Sequence, residues 1–188
     1  MIVDLTRAEA VTGADEVTTL YAAAFGYPAS VTRQFTDTYT RCMREYHGAR
    51  LLLARVDGGS VGFAFGFTFE RGHWWPEQIG PTLQAADHAD WMQDAFELAE
   101  LVVAPEHQGR GTGGMLLHHL LHTTRHQRVL LATAPTNPAR RLYRRAGFVE
   151  LLPDFRYGDS GPAAVIMGRD RDSTGPPASP QRGVGAGS

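Results

Sequence analysis

The sequence contains no lysine, because all eighteen basic residues are arginine, and Cys42 is its only cysteine. Without lysine the chain cannot form the Schiff bases of aldolase or pyridoxal-phosphate chemistry. A single cysteine permits neither an intrachain disulfide nor a cysteine cluster that binds zinc. At 188 residues the chain is long enough to bury a core without such cross-links. These absences predict a reduced protein that holds no metal.

The chain also lacks a strong charge of either sign, a long apolar run and a recognisable export signal. Its net charge is -2, whereas proteins that bind phosphate backbones usually carry an excess of positive charge. No stretch approaches the roughly 20 apolar residues of a membrane span. The N-terminal residues 1–7 do not combine a basic start with an apolar run. We therefore predict a cytoplasmic protein that binds neither nucleic acid nor membranes.

Apolar periodicity and turn residues divide the chain into alternating strands and helices. The sequence Asp57-Gly58-Gly59 between two apolar runs predicts a β-hairpin, since these residues adopt the positive φ angles of tight turns. This order predicts one α/β domain with a mixed sheet over residues 1–170, followed by a flexible tail rich in Gly, Pro and Ser over residues 171–188. The expected strands are 1–6, 51–56, 61–67, 96–103, 129–133, 148–152 and 163–167; the expected helices are 14–25, 30–46, 112–126 and 138–146, with 71–91 a long connection that has one short helix.

The most informative stretch is the glycine-rich turn 108–114, which follows an apolar strand and opens a helix. Glycines let backbone N–H groups approach an anion, and a helix N-terminus adds unpaired N–H groups and a positive dipole end. This predicts a pyrophosphate site at the start of the helix, with Arg110 as an added charge. A P-loop is excluded because it requires lysine. A dinucleotide fingerprint beginning at Gly109 fits by spacing, but residues 121–145 offer no acid for the ribose.

Two motifs in order resemble those of one known family. Gln108-x-x-Gly111-x-Gly113 is similar to the Arg/Gln-x-x-Gly-x-Gly/Ala signature of the GNAT superfamily of N-acetyltransferases. The preceding Leu101-Val102-Val103-Ala104-Pro105-Glu106 resembles the family's strand and its Val-x-Pro-Glu lead-in. The segment Asn137–Phe148 resembles the family's Asn-x-x-Ala-x-x-x-Tyr-x-x-x-Gly-Phe, with Ala139 one place early. The resemblance covers about residues 96–152. It implies an α/β fold with a mixed, mostly antiparallel central sheet and flanking helices, in which acyl-CoA binds where two parallel strands splay.

The resemblance also implies a role for each matched position, although Asn137 taken singly could be an ordinary helix cap and Tyr143 a core residue. The backbone of the turn would bind pyrophosphate, and the strand before it would bind pantetheine and polarise the thioester carbonyl. Asn137 would fix the pantetheine end, and Tyr143 would protonate the departing thiolate. The implied cofactor-binding residues are Leu101, Val102, Val103, Gln108, Gly109, Arg110, Gly111, Thr112, Gly113, Asn137 and Tyr143.

Two carboxylates on the strand before the turn, Glu97 and Glu100, are the candidate catalytic bases for an acceptor amine. Simple alternation puts them on opposite faces of the strand. Family members carry a bulge in this strand, so that parity counted from the turn is unreliable. We rank Glu97 ahead, because several relatives carry their acid six residues before the position of Val103. Glu100 is then expected to lie off the reaction path, in solvent or paired with an arginine.

Three further groups have structural explanations as good as functional ones. The four histidines at 118, 119, 122 and 126 fall opposite the leucines of their predicted helix, which favours a solvent face over a metal site. Trp74, Trp75 and Trp91 could wall an acceptor pocket or pack beneath a loop. The acids at 87, 90 and 94 favour a cationic substrate only if they face that pocket. Cys42 is expected to be a small buried hydrophobe.

Together these features predict an enzyme that moves acetyl from acetyl-CoA, its cosubstrate, to a primary amine on a small molecule. Direct attack in a ternary complex is expected, with no metal and no covalent enzyme intermediate. Two alternatives remain: a catalytically silent CoA-binding sensor or scaffold, and an unrelated nucleotide-binding domain with the same glycine turn. The sequence leaves open the acceptor amine, an acyl group other than acetyl, and a homodimer.

Overall fold

The computed structural model describes residues 1–172, which form one seven-stranded sheet with helices on both faces. The strands are β1 Ile2–Leu5, β2 Arg50–Val56, β3 Gly59–Thr68, β4 Ala95–Val103, β5 Arg128–Thr133, β6 Val149–Arg156 and β7 Ala163–Asp170. The helices are α1 Arg7–Thr12, α2 Ala14–Phe25, α3 Ala29–Glu45, α4 Trp74–Ala85, α5 Thr112–Thr123 and α6 Arg140–Arg145, with short 3₁₀ turns at Ala89–Met92 and Pro105–His107. Within this part of the chain no helix is long and apolar enough to cross a membrane.

The sheet is mixed but mostly antiparallel, with strand order β1-β2-β3-β4-β5-β7-β6. Its one parallel pair among the described residues is β4 with β5, and that pairing is short. It joins Ala95, Phe96 and Glu97 to the first three residues of β5 and then stops. The predicted fold class is therefore confirmed, and the two parallel strands separate after Glu97, the third residue of β4.

The β2–β3 hairpin follows the chemistry of its turn. Asp57 and Gly58 have φ angles of 49° and 83°, the positive values that a two-residue turn needs to match the twist of its strands. Gly59 already belongs to β3. The predicted hairpin is thus confirmed, and it aligns β3 beside β4.

The core lies on both faces of the central strands. Leu51 and Leu53 of β2 face the layer built by α1, α2 and α3, whereas Leu52 faces the leucines of α5. All three side chains are fully buried. Burial of each contributes about 1.5–3 kcal/mol, so the layers on both faces hold β2 and β3 in place. The next strand, β4, pairs with β3 along one edge, and this pairing fixes the position of that edge.

Three helices differ from the sequence expectation. The connection 71–91 contains the twelve-residue helix α4, which is longer than the one short helix expected there. Pro76 lies in the first turn, where its missing N–H has no intrahelical partner to lose. The buried stripe Trp75, Ile79 and Leu83 recurs every four residues and could have revealed the helix. The short helix α1, capped by Thr6, was also missed.

The helix α5 ends at Thr123. The predicted end near His126 was therefore wrong by three residues. His126 leaves the helix and forms hydrogen bonds with Asp94 Oδ1 at 2.9 Å and Thr68 Oγ1 at 3.2 Å. It therefore does not belong to the solvent face of the other histidines. The predicted tail begins at Arg171, and all but its first two residues lie outside the described residues.

Gly66 of β3 marks a close backbone approach to β4. A Cβ built on it would lie 2.2 Å from the carbonyl oxygen of Glu97 and 2.5 Å from the Phe96 ring. We expect Gly66→Ala to lower the free energy of unfolding by about 3 kcal/mol, the upper end for overpacking, because a backbone atom must move. Chemical denaturation measures this change.

The matched control is Gly80→Ala within α4, whose new Cβ would meet only the flexible Met92 sulfur at 3.4 Å. Alanine has a higher helix propensity than glycine by up to about 1 kcal/mol, so this variant should be neutral or more stable. Equal unfolding energies for the two variants would contradict the close approach at Gly66.

Candidate active site

The separation of β4 from β5 opens the edge of β4 toward its C-terminal end. From Leu98 to Val103 this edge has no strand partner in the part of the chain that the structure describes. A groove of about 530 Å³ runs along Leu101–Val103, and a cavity of about 310 Å³ borders 97–100 of the same strand. The free edge offers backbone N–H and C=O groups to an extended ligand, in the manner of an added strand.

The glycine turn at the end of β4 builds an anion site. Gly109 and Gly111 have φ angles of 72° and 86°, which side-chain-bearing residues rarely adopt, and Gly111 is the N-cap of α5. No side chain caps this helix, so its first-turn N–H groups are free to bind an anion. Gln108 Nε2 donates to the carbonyl of Val103 at 2.9 Å and so ties the turn back to β4. The backbone and helix dipole fit a pyrophosphate.

The groove contains all but one of the residues predicted to bind the cofactor. The exception is Arg110, which is exposed and does not line it; the arginine that does is Arg145, in the last turn of α6. The sequence pattern of Asn137–Phe148 drew attention to Tyr143 and away from this charge. The predicted residues that line the groove are Leu101, Val102, Val103, Gln108, Gly109, Gly111, Thr112, Gly113, Asn137 and Tyr143.

Asn137 is placed both to cap a helix and to contact a ligand in the groove. Its Oδ1 accepts a hydrogen bond from the N–H of Ala139 at 2.9 Å, so it does cap the turn into α6. The same side chain lines the groove, and its amide nitrogen makes no hydrogen bond to the described residues. That nitrogen can donate to a ligand while the oxygen holds the helix.

Tyr143 of α6 lies between the core and the groove. Its ring packs against Phe148 at 5.8 Å between centroids, and the side chain is 7% exposed. Burial, and next the nearby charge of Glu100, raise the pKa of Tyr143 to about 12. The phenol therefore remains protonated throughout the physiological pH range and can donate a hydrogen bond into the groove.

A β-bulge brings the two carboxylates to one face of β4. Phe65 of β3 pairs with Glu100, and the next residue, Gly66, pairs with Leu98, which leaves Ala99 without a partner. Glu97 pairs with Phe67. Directly paired residues share a face, and Phe65 and Phe67 lie two apart on β3, so Glu97 and Glu100 face the same way. Both line the cavity, and neither forms an ion pair among the described residues.

The two carboxylates are poorly solvated. Glu97 is 8% exposed, and its Oε2 has no hydrogen-bond partner among the described residues. Burial raises the pKa of Glu97 to about 8, and burial does the same for Glu100. Such a pKa is suitable for a general base, because the group can take up a proton near neutral pH.

The neighbours of the two carboxylates differ. The charge of Glu100 raises the pKa of Tyr143 and of Tyr21. The charge of Glu97 instead raises the pKa of Tyr46 and Tyr157, which belong to the cavity wall. Along β4, Glu100 directly precedes Leu101, the first groove residue of this strand, whereas Glu97 lies in the part that pairs with β5, so Glu100 is the carboxylate nearer the groove. The expectation that Glu100 lies in solvent or beside an arginine was wrong.

Aromatic side chains make most of the cavity wall. They come from α3, β3, α4 and the loop after β6, which are far apart in the sequence: Phe35, Tyr39, Tyr46, Phe65, Phe67, Trp74, Trp75 and Tyr157, with the imidazole of His73. Trp74 and Trp75 thus wall the cavity, whereas Trp91 packs beside Gly168 and under Arg128. Only the sequence position of the first two tryptophans hinted at this wall.

The remaining residues singled out in the sequence lie outside the cavity or have no free chemistry. The side chains at 118 and 122 are exposed and stack on each other, and in the described part of the chain no group of His, Cys, Asp and Glu could hold a metal ion. The acids at 87, 90 and 94 are exposed and do not line the cavity. Cys42 does line it, but burial raises the pKa of its thiol to about 11, so it stays protonated.

Sequence comparisons relate this chain to known acetyltransferases. A family model described as an acetyltransferase (GNAT) domain matches residues 47–150, which hold both carboxylates, the glycine turn and Tyr143. A GCN5-like protein acetyltransferase from Mycobacterium tuberculosis is 36% identical over 118 residues. That alignment covers 58% of this chain and 57% of the relative, so the match spans little more than half of the relative's length.

Solved structures share the fold at low sequence identity. A GNAT-family acetyltransferase from Desulfovibrio desulfuricans superimposes with a TM-score of 0.65 at 16% identity, over 91% of this chain and 99% of that one. An acetyltransferase from Salmonella typhimurium, solved with its cofactor acetyl-CoA, gives a TM-score of 0.61 at 18% identity, over 95% and 98% of the two chains. With the family model over more than half of its length, this chain belongs to the GNAT family of acetyltransferases.

Proposed function

We propose that this acetyltransferase transfers acetyl from acetyl-CoA to a primary amine on a small molecule, by direct attack in a ternary complex. The observation that carries the proposal is the bulge at Ala99, which turns two carboxylates into a cavity that borders the strand of the CoA groove. A volume of about 310 Å³ lies at the small end of ligand pockets. The cavity thus suits a small acceptor.

The groove side would hold the donor with its backbone. The free N–H groups of Gly111–Gly113 and the positive end of α5 would bind the pyrophosphate, and the open edge at Leu101–Val103 would pair with pantetheine. Arg145 would add a positive charge. Acetyl-CoA supplies the thioester carbonyl, and a backbone N–H near Val102 or Val103 would stabilise the negative charge that grows on its oxygen.

The acceptor enters as an ammonium ion and must lose a proton before it can attack. We assign this proton to Glu100, since it directly precedes the groove residue Leu101, and we assign the binding of the ammonium ion to Glu97, which lies three residues farther from the groove. The nitrogen forms a bond to the acetyl carbon as the carbon–sulfur bond breaks, and the sulfur takes the electron pair. Tyr143 would then donate a hydrogen bond or its proton to the thiolate. No covalent bond to the protein is needed.

A protein substrate is the second candidate. The relative from Mycobacterium tuberculosis is described as a protein acetyltransferase, and a lysine side chain also ends in a primary amine. The third candidate is a catalytically silent CoA-binding protein, and it is favoured if no amine releases thiol from acetyl-CoA. An assay of thiol release with monoamines, polyamines, aminoglycosides, amino acids and lysine peptides separates the three.

Gly111→Val tests the pyrophosphate site. The new side chain would stand on the turn at a φ of 86°, where the anion must approach, so we expect acetyl-CoA binding to weaken at least tenfold, about 1.4 kcal/mol. Isothermal titration calorimetry measures the Kd. Gly58→Val is the control, because Gly58 has a φ of 83° and similarly open surroundings but lies in the distant hairpin. A folded Gly111→Val protein with the control's affinity would remove the pyrophosphate assignment.

Tyr143→Phe tests the proton donor. Phenylalanine keeps the packing against Phe148 and removes only the hydroxyl, so the Kd for acetyl-CoA should stay within about twofold. We expect kcat to fall roughly 10²-fold, the usual contribution of a positioned general acid. Steady-state kinetics at saturating amine measure the effect. An unchanged kcat would mean that water protonates the thiolate and that Tyr143 is a packing residue.

The variants Glu100→Gln and Glu97→Gln test which carboxylate acts as the base. In the parent enzyme kcat/KM should rise with pH and level off above about 8, because both carboxyls are protonated below their raised pKa values. Glu100→Gln should lower kcat at least about 10²-fold and abolish this rise. Glu97→Gln should mainly raise KM for the amine. The reverse pattern would make Glu97 the base; full activity of both variants above pH 8 would mean that the amine arrives already neutral.

A further inference from the structure

Aromatic rings are the commonest side chains in the lining of the acceptor cavity. Two nearly parallel pairs stand in its wall: Tyr46 on His73, with centroids 3.7 Å apart and planes at 6°, and Trp74 on Tyr157, at 5.6 Å and 17°. Trp75 Nε1 donates to the Tyr157 hydroxyl at 2.9 Å, which fixes the second pair from below. Flat, preoriented walls of this kind favour a flat ligand.

Three polar groups of the wall, on Tyr39, Trp75 and Tyr157, are already bonded within the protein. The hydroxyl of Tyr39 donates to the carbonyl of Ala10 at 2.8 Å, and that of Tyr157 accepts from Trp75. Trp74 is 64% exposed although its ring belongs to the wall, so much of its surface remains to be covered. An apolar ring placed against it would remove that area from water.

The charged side chains that line the cavity favour a ligand with one positively charged group. Glu97 and Glu100 are its only acids, both on β4, and the opposite charge is Arg41 of α3. A ligand with a second ammonium group would find Arg41 instead of a further carboxylate. A ligand with a carboxylate next to its amine would bring that group against the two glutamates.

We propose that the acceptor is a monoamine in which a short arm joins the primary amine to an aromatic ring, with no carboxylate on the carbon that bears the nitrogen. The ring lies between the stacked pairs of the wall, and the ammonium group points to Glu97 and Glu100. This inference rests on the proposed transfer to an amine and narrows its substrate to one class. Ring contacts and the attraction of a cation to aromatic faces supply the affinity.

The first experiment compares five acceptors at saturating acetyl-CoA: 2-phenylethylamine, 2-cyclohexylethylamine, phenylalanine, spermidine and a lysine-containing peptide. We expect kcat/KM for 2-phenylethylamine to exceed that for the saturated analogue about threefold to tenfold, since aromatic pairs add about 0.5–1.5 kcal/mol to area burial. Phenylalanine, spermidine and the peptide should be at least tenfold poorer still. A higher kcat/KM for spermidine or the peptide overturns the aromatic class, and a higher kcat/KM for phenylalanine overturns the exclusion of a carboxylate, while acetyl transfer itself stands.

The second experiment removes one face of the wall. Trp74→Ala should raise KM for 2-phenylethylamine at least tenfold and leave the Kd for acetyl-CoA unchanged, because Trp74 does not line the groove. Tyr27→Ala is the matched control: Tyr27 is an aromatic residue that is 45% exposed, stacks on Phe25 and lines neither space. An unchanged KM in Trp74→Ala overturns the inference. Binding of acetyl-CoA without thiol release for any amine overturns the proposed function itself.

Discussion

The short pairing between β4 and β5 is the constraint on which the rest of the site depends. Three residue pairs hold the parallel strands together, and beyond Glu97 the edge of β4 has no partner strand among the described residues. If pairing continued, the N–H and C=O groups of Leu101–Val103 would be used within the sheet and could not bind a ligand. The opposite edge of β4 is held by β3, whose own position is fixed by buried side chains on both faces. One edge of β4 is therefore rigid and the other is open, and this combination presents an ordered backbone to a cosubstrate.

The bulge at Ala99 brings Glu97 and Glu100 to one face of β4, where both line the cavity. This placement lowers the stability of the folded chain. The pKa of Glu97 and of Glu100 is about 8 in the folded chain, against an ordinary value of 4.5, because the protein removes water from both carboxyls, with Glu97 buried and Glu100 half-buried. Between these two pH values the folded chain holds protons that the unfolded chain has released, so both carboxyls make stability fall as the pH rises through this window. Replacement by apolar residues would remove that penalty along with the base. The fold thus keeps two poorly solvated acids in a place where only their chemistry explains them.

Local chemistry determined what the sequence could predict. The hairpin follows from Asp57 and Gly58, and the anion site follows from the glycines of the turn before α5, since each feature is encoded within a few neighbouring residues. The common face of Glu97 and Glu100 could not be read from β4, because the bulge is defined by pairing with β3, thirty residues earlier along the chain. Gly66 gave a signal: a glycine inside an aromatic strand often marks a bulge or a close backbone approach. The location of Arg145 in the groove and the wall built by α3 and α4 depend on packing between distant segments, which the pattern of one segment does not contain.

The two halves of the site consequently differ in how freely they can change. On the groove side the proposed recognition rests on backbone groups and on glycines, so that many side chains are compatible with it as long as the turn keeps its positive φ angles. On the cavity side the proposed recognition rests on side chains from α3, β3, α4 and the loop after β6, of which only those of β3 pair directly with β4. Donor binding is thus linked to the fold itself, whereas acceptor choice is linked to a wall that surrounds it. The family model matches residues 47–150, which include the β3 and α4 parts of that wall, whereas α3 lies before the matched region.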